Sequence, residues 1–158
     1  MSRTSTSLFA ALATALLFAP LAIAQVVDAG APAAPPPPPS QIIATVVGLR
    51  NNTGIIDVSL YYPNAWLQDS RRAGQCFSRI ANRTASCVIR PPRPGTYALA
   101  FGHDENQNGR VDQGFLGIPL EGYGFSNNAR PVLSPPSFDA CRVQFNGGTM
   151  TVRMNAQY

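Results

Sequence analysis

A chain of 158 residues, 45% of them hydrophobic and 13% charged, has apolar material for one folded domain and too little charge for a disordered polyelectrolyte. Its net charge is +4, and all twelve basic residues are arginine. Arg71, Arg72, Arg79, Arg83 and Arg90 fall close together with no run of aromatics between them suited to stacking bases, so the strip reads as a solvated face and no nucleic-acid partner is expected.

Residues 1–24 have the layout of a secretory signal peptide. Arg3 supplies the positive start, Leu8 to Ile23 the apolar core, and Ala22-Ile23-Ala24 a small-x-small cleavage site. The apolar core is about 16 residues and contains Pro20, short of the roughly 20 that a spanning helix needs. No later apolar run is that long. The mature chain is therefore expected to be exported, periplasmic or extracellular, with no transmembrane segment. Residues 25–40 include five consecutive prolines, Pro35 to Pro39. They read as a stiff, proline-rich linker of polyproline II type ahead of a domain at 41–158.

Within 41–158 the dominant pattern is period-2 alternation. Gln41 to Leu49 is a β-branched run, and Ile56, Val58, Leu60 and Tyr62 then share one face, opposite Asp57, Ser59 and Tyr61. Asn51-Asn52-Thr53-Gly54 between them predicts a hairpin. Cys87–Arg90 and Thr96–His103 are further strands. Cys141, Val143 and Phe145 start another, and Gly147-Gly148 turns the chain into a last strand carrying Met150, Val152 and Met154. Pro63–Ala85 and Asp104–Ala140 read as long loops. About six short strands with Gly/Pro turns predict an all-β, two-layer antiparallel β-sandwich, immunoglobulin-like or transthyretin-like, with a small β-barrel as the alternative.

Export gives the cysteines meaning, because disulfides persist in oxidising compartments. Cys76, Cys87 and Cys141 permit one bridge and leave one thiol over. Cys76–Cys87 closes the shortest loop, and Cys87–Cys141 between two strands is the competing pairing.

The stretch HDENQNGRVD, residues 103–112, carries the strongest chemical signal. With Asp104 as position 1 of a calcium loop, Asn106 stands at 3, Asn108 at 5, the glycine at 6, the Arg110 carbonyl at 7 and Asp112 at 9. Position 12, where such loops place a bidentate glutamate, is Phe115. The expected shell therefore needs Glu121 from the following segment, and the affinity is expected in the millimolar class, about 10⁻⁴–10⁻³ M. A turn whose Asp and Asn side chains bond their own backbone is the plainer reading.

The run from Gly95 to Ala129, with its G-x-Y-A strand, HDxNxNGxxD loop and GYGFSNNA segment, resembles the bacterial family known as domain of unknown function 2141. Pro136-Ser137-Phe138-Asp139-Ala140 extends the likeness, which covers roughly 46–158. The resemblance implies exported bacterial proteins with a β-sandwich and no established activity. The acidic loop is also similar to the calcium-binding repeats of adhesin B-type domains, which carry an acidic residue where this chain has Phe115.

Two function classes follow. One is a non-catalytic module, calcium-stabilised, presenting its long loops to another envelope or extracellular protein or to a glycan. The alternative is a small hydrolase or lyase using His103, Asp104 and Glu121. Ser126 is a nucleophile by type but lacks a G-x-S-x-G context. Tyr123 and Phe125 either pin the second long loop or face a ligand, and Trp66 is open between lid and contact surface.

Overall fold

Eight strands organise the computed structural model, which describes residues 39–158; the expected signal peptide and most of the linker lie outside the described residues. They are β1 Gln41–Val47, β2 Ile55–Tyr61, β3 Gly74–Arg79, β4 Thr84–Ile89, β5 Gly95–Asp104, β6 Gly122–Phe125, β7 Arg142–Phe145 and β8 Thr149–Asn155. The one α-helix, α1 Phe138–Cys141, is a single turn. No helix among the described residues is long and apolar enough to cross a membrane.

The strands form two sheets that are not closed into a barrel. The smaller has the order β4-β1-β8, and the larger the order β3-β2-β5-β6 with β7 also on β5. This is a β-sandwich. One pair departs from the antiparallel expectation, since β1 and β8 run parallel, Ile42 opposite Met150 and Val46 opposite Met154. Inward faces meet in one core: Ile42, Ala44 and Val46 from β1, Val152 and Met154 from β8, Ile56, Val58 and Leu60 from β2, Tyr97, Leu99 and Phe101 from β5. Every buried hydrophobic residue of the described chain lies between Ile42 and Met154. Burial of each large aliphatic or aromatic side chain contributes about 1.5–3 kcal/mol relative to exposure, and this core holds the two layers together.

Three expectations are corrected. β1 and β2 are not a hairpin, because β1 pairs with β4 and β8 while β2 pairs with β3 and β5. Pro63–Ala85 is not one loop, since it contains β3 and the turn into β4. Asp104–Ala140 likewise contains β6, which adds to the edge of β5 by pairing Ala100 to His103 with Phe125 to Gly122.

The sequence left the disulfide open, and the structure pairs Cys76 on β3 with Cys87 on β4, Cα to Cα 5.8 Å. The bridge therefore ties an edge of one sheet to an edge of the other. Cys141 is free and buried, and burial pushes its thiol up to about 11.

Candidate functional site

Asp104 ends β5 and is buried under the loop it begins. Its Oδ1 accepts the Asn108 N–H at 3.0 Å and its Oδ2 the Gly109 N–H at 2.7 Å. Asn106 Oδ1 accepts from Asn108 N at 3.1 Å, and Asn108 Oδ1 from Arg110 N at 3.1 Å. The side-chain amides of Asn106 and Asn108 donate to Asp112 at 2.7 and 2.8 Å. Those two amides, and after them the Arg110 guanidinium at 3.3 Å, hold the Asp112 carboxyl below its usual range. The residues chosen for calcium-loop spacing are thus brought together.

Glu121 joins them. It is buried, and its Oε1 accepts the Glu105 N–H at 2.8 Å while Oε2 accepts the Asp112 N–H at 2.9 Å. One carboxylate spans both ends of the loop. Phe115, at loop position 12, is 87% exposed and takes no part. The donor set is all oxygen, which suits a hard cation such as calcium, and a carboxylate oxygen that accepts one N–H keeps a second lone pair. Against that, both asparagine amides turn nitrogen toward Asp112 and would have to rotate to offer oxygen to a cation. No group of three His, Cys, Asp or Glu among the described residues converges as a metal-ligand set.

The turn at Asn51–Gly54, expected as a hairpin, braces this loop from the other side. Gly54 has φ +75°, and a Cβ there would come within 2.0 Å of the Asp104 carbonyl oxygen, so only glycine fits. Asn51 Nδ2 donates to Glu105 Oε2 at 2.9 Å, and the Arg50 guanidinium lies 2.6 Å from Glu105 Oε1. Desolvation raises the Glu105 carboxyl, but the Asn51 and Arg50 bonds and the Arg50 charge outweigh it and leave it lowered.

His103 stands apart from Asp104 and Glu121, although its Nδ1 is 3.8 Å from Glu105 Oε1. It lies on the core side of β5, fully buried, while Asp104 lies on the outer side, because successive strand residues point to opposite faces. Its Nε2 is 2.8 Å from the Thr53 carbonyl oxygen and its Nδ1 is 3.0 Å from the Tyr158 hydroxyl. A carbonyl only accepts, so Nε2 carries a proton and donates to it. Both ring nitrogens are engaged, and His103, Asp104 and Glu121 do not form a shared site. Ser126 is buried and hydrogen-bonded to the backbone of Leu99 and Cys141.

A second site was not visible in the sequence. The outer face of the larger sheet carries a groove of about 810 Å³, within the roughly 300–1,000 Å³ of ligand clefts. Register builds its floor as two cross-strand rows, Phe77–Asp57–Gly102–Tyr123 and Gln75–Ser59–Ala100–Phe125. Val111 from the acidic loop leans over Gly102, where a Cβ would come within 2.4 Å of its methyl carbon. The floor is polar along β2: Gln75 Nε2 donates to Asp57 at 2.8 Å, Arg72 to Ser59 Oγ at 3.0 Å, and Tyr61 Oη to Asp69 at 2.6 Å. Desolvation raises the Asp57 carboxyl, opposed by the Gln75 bond and the Arg72 charge.

Residues 44–153 match the family model DUF2141, described as an uncharacterized protein conserved in bacteria. The chain belongs to this family. No match was found among curated proteins or among solved structures. The DUF2141 match takes in the acidic loop, Glu121 and the residues of the groove floor, but ends before Tyr158, which supplies the hydroxyl on His103.

Aromatic residues fix the walls of this DUF2141 groove. Trp66 packs edge-on to Tyr61 at 5.5 Å and to Phe138 at 6.0 Å, and its Nε1 donates to the Pro136 carbonyl at 2.8 Å. It clamps the first long connection onto the second. Phe125 is buried in that cluster, whereas Tyr123 is half-buried and lines the groove.

Proposed function

We propose that this DUF2141 protein is an exported, non-catalytic β-sandwich module that offers the groove between its long loops to another envelope or extracellular component, a protein or a glycan, with calcium bracing the acidic loop. The observation that carries the reading is the return of Glu121 to the 104–112 loop, where it bonds Glu105 N and Asp112 N. That clamp sets the wall containing Gly109, Arg110, Val111 and Gln113 beside the groove. A cation held by Asp104, Asn106, Asn108, the Arg110 carbonyl, Asp112 and Glu121 would fix the same wall. The non-catalytic part of the proposal is supported by the spent hydrogen-bonding capacity of His103 and Ser126.

Thermal melting in millimolar calcium and in chelator tests the brace. A higher midpoint with calcium is expected, absent in Asp104→Ala and retained in Glu105→Ala. Equal midpoints in the two conditions would remove calcium from the account.

A further inference from the structure

Beyond the groove itself, the apolar side chains around its mouth have no partner in the fold. Among the described residues, five of the nine exposed large hydrophobics sit on two short stretches: Phe115 (87%), Ile118 (62%) and Leu120 (58%) on one, Val132 (79%) and Leu133 (107%) on the other. Ile118 and Leu133 line the same groove, which brings the two stretches to one side of the molecule. Exposed apolar side chains gathered this way mark a surface that meets another apolar phase.

Charge selects among the candidates. Between residues 113 and 136 the only acidic residue is Glu121, and it is buried with both oxygens on backbone N–H groups. Arg130 is exposed and enters none of the ion pairs among the described residues, and the Arg110 side chain is 77% exposed beside Asp112. The stretches offer apolar tips, Phe115 among them, with Arg130 beside the second and Arg110, which also pairs with Asp112 at 3.3 Å, on the loop before the first; they carry no exposed Tyr or Trp of the kind that anchors protein interfaces. A lipid surface asks for little more than apolar tips that enter the acyl boundary and cations that meet anionic headgroups.

We propose that the loop tips at Phe115–Leu120 and Val132–Leu133 dock on an anionic lipid surface, with Arg110 and Arg130 at headgroup level. Docking places the groove mouth at the membrane face. It does not depend on the calcium brace.

Sedimentation of residues 25–158 with vesicles tests it, using phosphatidylglycerol mixed with phosphatidylcholine, and phosphatidylcholine alone. The mixed vesicles should bind the protein, and phosphatidylcholine alone should bind it weakly. Phe115→Ser with Leu133→Ser should lower the partition coefficient about tenfold or more, since two apolar side chains no longer leave water. Arg110→Gln with Arg130→Gln should remove the preference for phosphatidylglycerol. Val88→Ser, on β4 of the other sheet and 41% exposed, should change nothing. All of these positions are exposed, so an unchanged melting midpoint verifies the fold of each variant. No partition onto the mixed vesicles, or equal partition by the Phe115/Leu133 variant, overturns the proposal and leaves the tips to a protein partner. Melting the same samples with calcium and chelator reads the brace separately: lipid binding without calcium stabilisation removes only the brace, and the reverse removes only the docking.

Discussion

The Ser126 hydroxyl accepts the Leu99 N–H at 2.9 Å, at the one point where the outer edge of β5 passes from β6 to β7. β6 covers Ala100 to His103 and β7 covers Gly95 to Ala98. Neither reaches Leu99. The hydroxyl proton is shared between the Leu99 and Cys141 carbonyls, so one buried side chain substitutes for a missing rung of the ladder. Ser126→Ala should lower unfolding stability by about 1–3 kcal/mol, the usual cost of leaving a buried N–H unpaired. Denaturant titration reads the loss, and faster amide exchange at Leu99 should accompany it. A midpoint equal to that of the parent protein would show that water takes over the rung.

Much of the sandwich was legible because its inward faces follow strict alternation. The failures have specific causes. Asn51–Gly54 has hairpin chemistry, yet the turn carries the chain from one sheet to the other and docks on Asp104 and Glu105; local turn signals do not say which strands pair. β3 hid because its large apolar residue, Phe77, points outward at 57% exposure while its inward positions are Gly74, Cys76 and Ser78. β6 hid because Gly122 and Gly124 strip it of strand composition. The acidic loop was legible as a cluster, and Glu121 was anticipated beside it as a cation ligand, whereas the structure has it accept two backbone N–H groups of the loop. The groove was not, since its floor is assembled by register across four strands.

The Cys76–Cys87 bridge closes a loop with a sequence separation of 11 and joins the edge of the larger sheet to the edge of the smaller. Chain-entropy arguments give such a loop about 3 kcal/mol. Reduction should lower the melting midpoint without abolishing the fold, because the core of β1, β2, β5 and β8 does not depend on the bridge. Native-state thiol labelling after reduction should modify the part-exposed Cys76 first, reach the buried Cys87 slowly, and spare Cys141, which is fully buried with its thiol raised to about 11. Labelling of Cys141 as fast as Cys76 would mean that the second long connection opens.

Asp57 sits in the groove floor with its carboxyl raised above the usual 3.8, chiefly by desolvation. A raised acid binds its proton more tightly folded than unfolded, so this group costs stability as pH climbs from the unfolded value through the folded one. Asp57→Asn removes that cost. Its melting midpoint relative to the parent protein should rise between about pH 3 and pH 7. Parallel pH profiles for the two proteins would mean that the Gln75 bond and the Arg72 charge fully offset the desolvation. A net gain in stability on neutralising a floor residue would fit a group retained for a ligand.

Glu121→Gln tests the clamp on the acidic loop. The amide keeps one acceptor oxygen but puts an NH₂ donor against a backbone N–H, of Glu105 or of Asp112, in a buried setting. The mismatch should cost about 1–3 kcal/mol, and it should fall on the loop rather than on the core. Amide exchange should quicken at whichever of Glu105 and Asp112 faces the NH₂, while exchange at Val58 and Leu99 holds at the rate set by global unfolding. Glu121→Ala leaves both N–H groups without the carboxylate and should quicken exchange at both together. Protection at both amides of the Glu121→Ala variant matching the parent protein would show that the loop holds its conformation through the Asp104 and Asp112 bonds alone, with Glu121 a bystander.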